Sequence, residues 1–406
     1  MVVVGGGAIG VTAAYELARR GVRVTLVERG DTLASGCSAG NGGLICPSHS
    51  LPLATPAALR QAARSLLGID GPLALRLRPT TLPWLVRFAS ACRAERAERG
   101  LRALRTLSLA SLDRHAELSE LGTSFECRGI LSVYGTEAGF AAARHEGETP
   151  GAETLTAADA VQLEPSLGPD LAGAYFHPGE AHVDPFRYVQ ALGVAAASEG
   201  ADLRARVEVR ALRRRNGGVI VETSDGELRP QTVVLAAGAW TASLARGLGV
   251  DVPVTGGKGY HVDLPAKVAD PRIPILMPEA RSAVTPLEGR LRLTGTLELC
   301  GLDLSVNRRG LDAVRGAAAR VLRDGHERQP LSVWAGLRPC TPDGLPVIGL
   351  ADGLPGLVLA TGHAMKGIAL APVTAGLVAE LVVGEPPSHD LAPFAPGRFR
   401  PLLRRR

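Results

Sequence analysis

Val2-Val3-Val4-Gly5-Gly6-Gly7-Ala8-Ile9-Gly10 joins three β-branched residues to a G-x-G-x-x-G turn. The apolar run predicts a buried strand, and the glycines predict a tight turn into a helix. Gly5 makes the turn, Gly7 lets backbone approach a pyrophosphate, and Gly10 lets the helix pack closely on the sheet. A helix starting near Ala8 aims its unpaired N–H groups and positive dipole end at that pyrophosphate. Glu28, 18 residues beyond Gly10, closes the strand Val22 to Val27 where a carboxylate would accept ribose hydroxyls. It would repel a 2′-phosphate, so FAD or NAD is favoured over NADP. The expected dinucleotide contacts here are Gly5, Gly7, Ala8, Ile9, Gly10, Glu28 and Arg29. An ordinary βαβ unit without ligand is the bland alternative.

The totals narrow the class. A chain of 406 residues exceeds one simple core, and two closely packed domains are expected. No apolar run is long enough for a transmembrane helix, and the start has no basic n-region or cleavage site. A cytoplasmic location is expected, with peripheral contact at the inner membrane face left open. The six cysteines are scattered and show neither zinc spacing nor a C-x-x-C pair, so no metal is expected. Net charge is +5, concentrated partly in Arg213-Arg214-Arg215 and Arg404-Arg405-Arg406. With aromatics at only 4%, no stacking platform for nucleic acid accompanies those runs.

Pattern reading along the chain predicts an arginine-rich helical stretch over 56–122 and a helix from Pro185 to Glu199. A strand from Asp202 to Val207, a hairpin through Asn216-Gly217-Gly218 and a buried strand over 233–240 follow. Residues 254–299 read as antiparallel sheet, 308–322 as a helix, and 368–383 as a final helix. The expected fold is α/β: a discontinuous Rossmann-type domain (1–55, 150–250 and 331–390) with an α+β substrate domain. The latter takes 56–149 and 251–330 and has a mainly antiparallel sheet; 391–406 is a Pro/Arg-rich tail.

Five stretches together resemble the D-amino-acid oxidase family of FAD-dependent amine and amino-acid oxidoreductases. They are the glycine turn, Ser38-Ala39-Gly40-Asn41-Gly42-Gly43-Leu44-Ile45, Ala236-Ala237-Gly238-Ala239-Trp240, Gly336-Leu337-Arg338-Pro339 with Thr341-Pro342-Asp343-Gly344, and Thr361-Gly362-His363 with Gly367. Within the family the chain is most similar to bacterial D-amino-acid dehydrogenases, including those acting on D-hydroxyproline. The resemblance implies non-covalent FAD, because Gly336 stands where sarcosine oxidases carry a flavin-linking cysteine. It also places Ser38, Asn41, Gly42, Gly43, Leu44, Val207, Ala237, Gly238, Trp240 and Gly336 beside the cofactor. Gly362, His363, Met365, Lys366, Gly367 and Ile368 complete that set, with Lys366 and a helix end facing the N1/C2 edge of the flavin.

Arg338 is the expected substrate anchor, since a guanidinium fork matches a carboxylate bidentately and stays charged. Tyr260 could add a hydroxyl to the same carboxylate, or be a core tyrosine; His49 and His261 are further candidates for the pocket. The implied reaction is hydride transfer from the α-carbon of an amino acid to flavin N5, giving an imino acid. Oxygen or quinone would reoxidise the flavin, and an apolar face over 59–107 with Trp84 and Phe88 could dock on a membrane or belong to the substrate domain. Rival readings are a glycine- or sarcosine-type oxidase, a biosynthetic amine-oxidising flavoenzyme, and a flavin-binding redox sensor. Oligomeric state is left open.

Overall fold

Val2–Val4 is buried at every position and forms the centre of a six-stranded sheet. The computed structural model describes residues 1–66, 73–75, 81–215, 218–323 and 328–399. The strand order is Val347–Leu350, Leu357–Thr361, Val233–Leu235, Val2–Val4, Thr25–Val27, Asp202–Arg204. All neighbours run parallel except the antiparallel edge strand Val347–Leu350. The chain leaves Val2–Val4 towards Thr25–Val27 and only later fills the opposite side with Val233–Leu235. That reversal opens a crevice at the strand ends, where ligands of such sheets bind.

The glycine turn fits this geometry closely. Gly5 has φ +112°, and a Cβ there would lie 2.6 Å from the Ala236 carbonyl oxygen. A Cβ on Gly10 would stand 1.9 Å from the Gly5 carbonyl oxygen, so only glycine lets the helix Ala8–Arg19 sit this close. Its apolar residues Val11, Ala14 and Leu17 enter one core with Val3, Leu26, Val189, Leu192 and Val378. Helices Pro185–Ser198 and Ala371–Val383 supply the last three. Asp184 caps the former by accepting from the N–H groups of Phe186 (3.0 Å) and Arg187 (3.3 Å). Pro185 stands in that first turn, where its missing N–H costs nothing.

A second, nine-stranded sheet runs Ser332–Cys340, Thr255–Pro265, Arg290–Leu299, Ser282–Leu287, Ile275–Met277, Ile130–Tyr134, Gly173–His177, Glu153–Leu155, with Leu73–Leu75 beside Arg290–Leu299. It is mainly antiparallel, and the helix Arg308–Val321 packs on it through Val314, Ala317 and Ala318. Strands Glu153–Leu155, Gly173–His177 and Ser332–Cys340 hydrogen-bond into this sheet, although the expected boundaries at 150 and 331 put them with the first. Short strands between loops leave no composition shift to mark such a crossing.

Val209–Arg215 and Gly218–Thr223 pair as the expected hairpin, whose turn residues 216 and 217 lie outside the described residues. Helices Pro56–Leu66, Leu82–Ala91 and Ala94–Glu117 occupy the arginine-rich stretch. Trp84 and Phe88 stack at 5.3 Å and are buried against Leu297 and Leu299, so these two rings face inward. Among the described residues, no helix is long and apolar enough to cross a membrane.

Candidate active site

One cavity of about 1120 Å³ begins at the switch point of the parallel sheet and ends under the antiparallel one. Gly5, Gly7, Ala8, Ile9, Glu28, Arg29, Ser38, Asn41, Gly42, Leu44, Val207, Ala237, Gly238 and Trp240 line it, as do Gly336, Arg338, His363, Met365, Lys366, Gly367 and Ile368. Four expected site residues do not. Gly10 is buried beneath the turn, Gly43 is pressed on the Val183 carbonyl, and Gly362 against Thr341. Tyr260 is the fourth, and strand alternation explains it. Gly259 faces the cavity, so Tyr260 points to the opposite side, against Gly310 of the Arg308–Val321 helix. Its hydroxyl donates to Glu298 Oε2 at 3.0 Å.

The dinucleotide end is shaped by backbone. Glu28 accepts the N–H groups of Gly6 (2.6 Å) and Gly30 (2.8 Å), which orients its carboxylate at the strand end. Arg29 lies 3.8 Å over the Trp240 ring. Ser38 Oγ accepts the Ala8 N–H at 2.9 Å, using one donor of the helix N-terminus. The strand Asp202–Arg204 stops before Val207, whose N–H donates to the Glu28 carbonyl at 2.9 Å. A glycine-walled crevice with a helix N-terminus and a fixed carboxylate fits an FAD dinucleotide.

Asn41, in the lining, also ties two loops together. Its Oδ1 accepts the Gly43 N–H at 2.8 Å, and its Nδ2 donates to the Met365 carbonyl at 3.3 Å. Arg292 holds the same loop to the second sheet, donating to the Ala39 (2.6 Å) and Asn41 (3.0 Å) carbonyls while paired with Asp263. Trp334 lies across Gly40 and Gly336, where a Cβ would meet its ring at 2.1 and 1.7 Å. His261 stacks behind that indole at 5.2 Å and stays out of the cavity lining. The final helix begins at Ala371, after the turn Ala364–Lys366, so Lys366 is not in its first turn.

The other end of the cavity collects cations. Arg338 packs its guanidinium on Gly259 and donates to the Thr296 carbonyl at 2.6 Å. Burial pulls its pKa down, and no acidic side chain pairs with it among the described residues. Lys366 Nζ donates to the His49 carbonyl, and burial lowers its pKa too. The neighbouring Cys46 thiol is pushed by burial up to about 12, so it remains a thiol. His49 lines the cavity with its ring held between Ser48 Oγ (2.9 Å) and Glu146 Oε1 (3.3 Å). Burial pushes the Glu146 carboxyl up, but hydrogen bonds from His49 and Tyr134 outweigh it and hold it below its ordinary value.

Arg281, Cys37 and Trp334 also line the cavity and were not anticipated as site residues. Arg281 sits in a turn after Met277-Pro278-Glu279-Ala280, with no periodic signal to mark it. A polar residue next to a proline turn reads as solvated.

The profile of the family described as FAD dependent oxidoreductase matches residues 1–381. The chain is 34% identical to a D-amino acid dehydrogenase of Paramagnetospirillum magneticum, over 99% of each chain. It is 32% identical to a glycine oxidase of Pseudomonas aeruginosa, over 98% of each. Glycine oxidase from Geobacillus kaustophilus superposes with a TM-score of 0.81 at 28% identity, covering 98% of both chains.

Proposed function

The chain belongs to the family of FAD-dependent oxidoreductases, and on that premise we propose that it dehydrogenates a D-amino acid at its Cα–N bond, giving an imino acid. The observation that carries the reading is Arg338: a partly buried guanidinium facing the cavity with no acidic partner among the described residues. A charge held this way is costly unless an anion completes it, and a substrate carboxylate matches its planar fork.

In this reading the glycine turn and Glu28 hold the dinucleotide, and Ser38 to Leu44 with His363 to Ile368 enclose its ring. Residues 1–55, Pro185–Leu235 and the part of 331–390 beyond Cys340 carry most of that work; the second sheet, which includes Ser332–Cys340, supplies the substrate side. FAD held there would supply the acceptor for the hydride that leaves the α-carbon. Arg338 fixes the carboxylate and so the direction of the α-hydrogen, an orientation effect worth several orders of magnitude in rate. Gly259 and Thr296 hold the guanidinium in place. No side-chain base is needed when the amine binds neutral. Oxygen or a quinone takes the electrons afterwards.

We place the FAD as non-covalent, with Gly336 in the lining and the Cys340 thiol buried and pushed up to about 12. Trichloroacetic acid should then leave the yellow colour in the supernatant. Glycine is the competing substrate, favoured by the likeness to glycine oxidases. Anaerobic mixing of the holoenzyme with a panel of D- and L-amino acids, glycine, sarcosine and D-hydroxyproline tests the reading. Loss of oxidised-flavin absorbance with D-amino acids is expected. A protein that binds no FAD, or whose flavin no amino acid reduces, would overturn it.

A further inference from the structure

Arg281 is the second guanidinium in the substrate half of the cavity. It follows the turn Pro278–Ala280 with φ +48°, a left-handed backbone that a residue with a Cβ adopts only under strain. That strained residue points its side chain at the ligand space rather than at solvent. Its Nη2 donates to Gln61 Oε1 at 2.6 Å, so a neutral amide from the Pro56–Leu66 helix holds the fork.

No carboxylate answers it among the described residues. The nearest acid in sequence, Glu279, is turned away and bound by the Gly135 N–H (2.7 Å) and Thr136 Oγ1 (2.5 Å). Burial alone lowers the Arg281 pKa, without an opposing acidic neighbour. Burial lowers the Arg338 pKa as well, opposed only by the nearby Cys340 and Cys37 thiols. Among the described residues, the only acids in the cavity lining are Glu28 and Glu208, and both stand at the dinucleotide end. Arg281, Arg338, Lys366 and His49 therefore surround the substrate space without a lining acid. Glu146 and Glu180 lie behind His49 and Lys366 and are outside the lining.

Two desolvated forks in one chamber need two anions, because an uncompensated buried charge is costly. We propose that Arg281, oriented by Gln61, is a second carboxylate site, and that the substrate is an α-amino dicarboxylic acid. Arg338 takes the α-carboxylate and Arg281 the side-chain carboxylate. Arg281 thus selects the substrate and does not touch the reacting atoms; Gln61 is a positioning residue. This inference rests on the amino-acid reading above.

The test uses the FAD-loaded enzyme and pairs of near-isosteric substrates: D-glutamate against D-glutamine, and D-aspartate against D-asparagine. The acidic member should show at least a tenfold higher kcat/KM, mainly through KM. Arg281→Gln should lower the acidic-to-amide ratio at least tenfold, and Arg281→Lys should restore part of it. A binding readout is independent of turnover. Glutarate should perturb the flavin spectrum at tenfold lower concentration than butyrate in the native enzyme, and Gln61→Ala should narrow that gap. Equal or better use of the amides would overturn the proposal while leaving amino-acid oxidation intact. So would an Arg281→Gln variant that weakens both members of each pair equally, since Arg281 would then hold the α-carboxylate. Flavin reduced by no amino acid at all would instead overturn the underlying reading.

Discussion

At the Glu28 end the cavity is walled by backbone, whereas at the Arg338 end it is walled by charged side chains drawn from separate segments. Gly5, Gly7 and the N–H groups of Gly6 and Gly30 come from one stretch of 26 residues, Gly5 to Gly30. Arg338, Arg281, Lys366 and His49 come from four distant stretches and meet only in the folded chain. The first end has its donors and acceptors satisfied or aimed by local geometry. The second holds guanidiniums that lack acidic partners among the described residues. In the proposed reading, the first dinucleotide contacts are thus set by local chain geometry, and choice of substrate by tertiary assembly.

The sharpest way to break this contrast is Arg338→Ala. Removing the fork takes away a charge-assisted pair, with a loss of about 2–5 kcal/mol, or roughly thirty- to several-thousand-fold in kcat/KM. FAD content per chain should be unchanged, because no dinucleotide contact comes from this strand position. Steady-state kinetics beside flavin quantification separates the two ends. A variant that loses FAD along with activity would show that the ends are not independent.

Acid pH should act on both ends through buried neutral histidines. Burial lowers the pKa of His363 to about 3 and, with the nearby Arg292 charge, that of His261 to about 4. The unfolded chain, with ordinary histidines near 6.5, binds more protons than the native one between those values. Stability is thus complete above about pH 6.5 and falls as the pH drops towards 4, by about 1.4 kcal/mol per pH unit for each histidine. Urea midpoints from pH 8 to 5 measure this, and His363→Gln should flatten the slope by about one proton. A midpoint that rises on acidification would contradict the assignment of neutral native rings.

Gly10→Ala probes the backbone-built end. The new Cβ would lie 1.9 Å from the Gly5 carbonyl, so the helix must shift, at about 1–3 kcal/mol. The FAD dissociation constant should rise at least tenfold, while substrate KM in flavin-saturated enzyme changes less. Retention of native FAD affinity would mean that the turn tolerates displacement.

What could be read from the sequence follows the same division. The strand, turn, helix and acid of residues 2–28 have local signatures, and the structure places them as read, except that the second strand begins at Thr25 rather than Val22. Arg338 was legible through its motif, because Gly336 and Pro339 mark it. Arg281 was not: its turn carries no motif, and its partner Gln61 lies 220 residues away. The sheet crossings at 153–177 and 332–340 were equally silent, since strand propensity says nothing about which sheet a strand joins. Asn41 was legible as a loop residue, but its tie between the loop and Met365 depends on a partner 324 residues distant.

Tyr260→Phe carries the smallest expected effect and sharpens the contrast most finely. On motif grounds the hydroxyl could serve the substrate, but Gly259 occupies the cavity-facing register. The hydroxyl instead donates to Glu298, which lies 3.8 Å from the fully buried ammonium of Lys258. Lys258 also donates to Asp303 (3.1 Å) and the Ser305 carbonyl (2.9 Å), so the tyrosine belongs to a polar cluster inside the second sheet. Losing one hydrogen bond to a charged acceptor should cost about 1.5 kcal/mol in urea unfolding. The KM for amino acids should stay within about twofold, the change expected when no substrate contact is lost. A tenfold rise in KM with unchanged stability would place the hydroxyl in the cavity after all, and with it the register of the entire Thr255–Pro265 strand would be wrong by one residue.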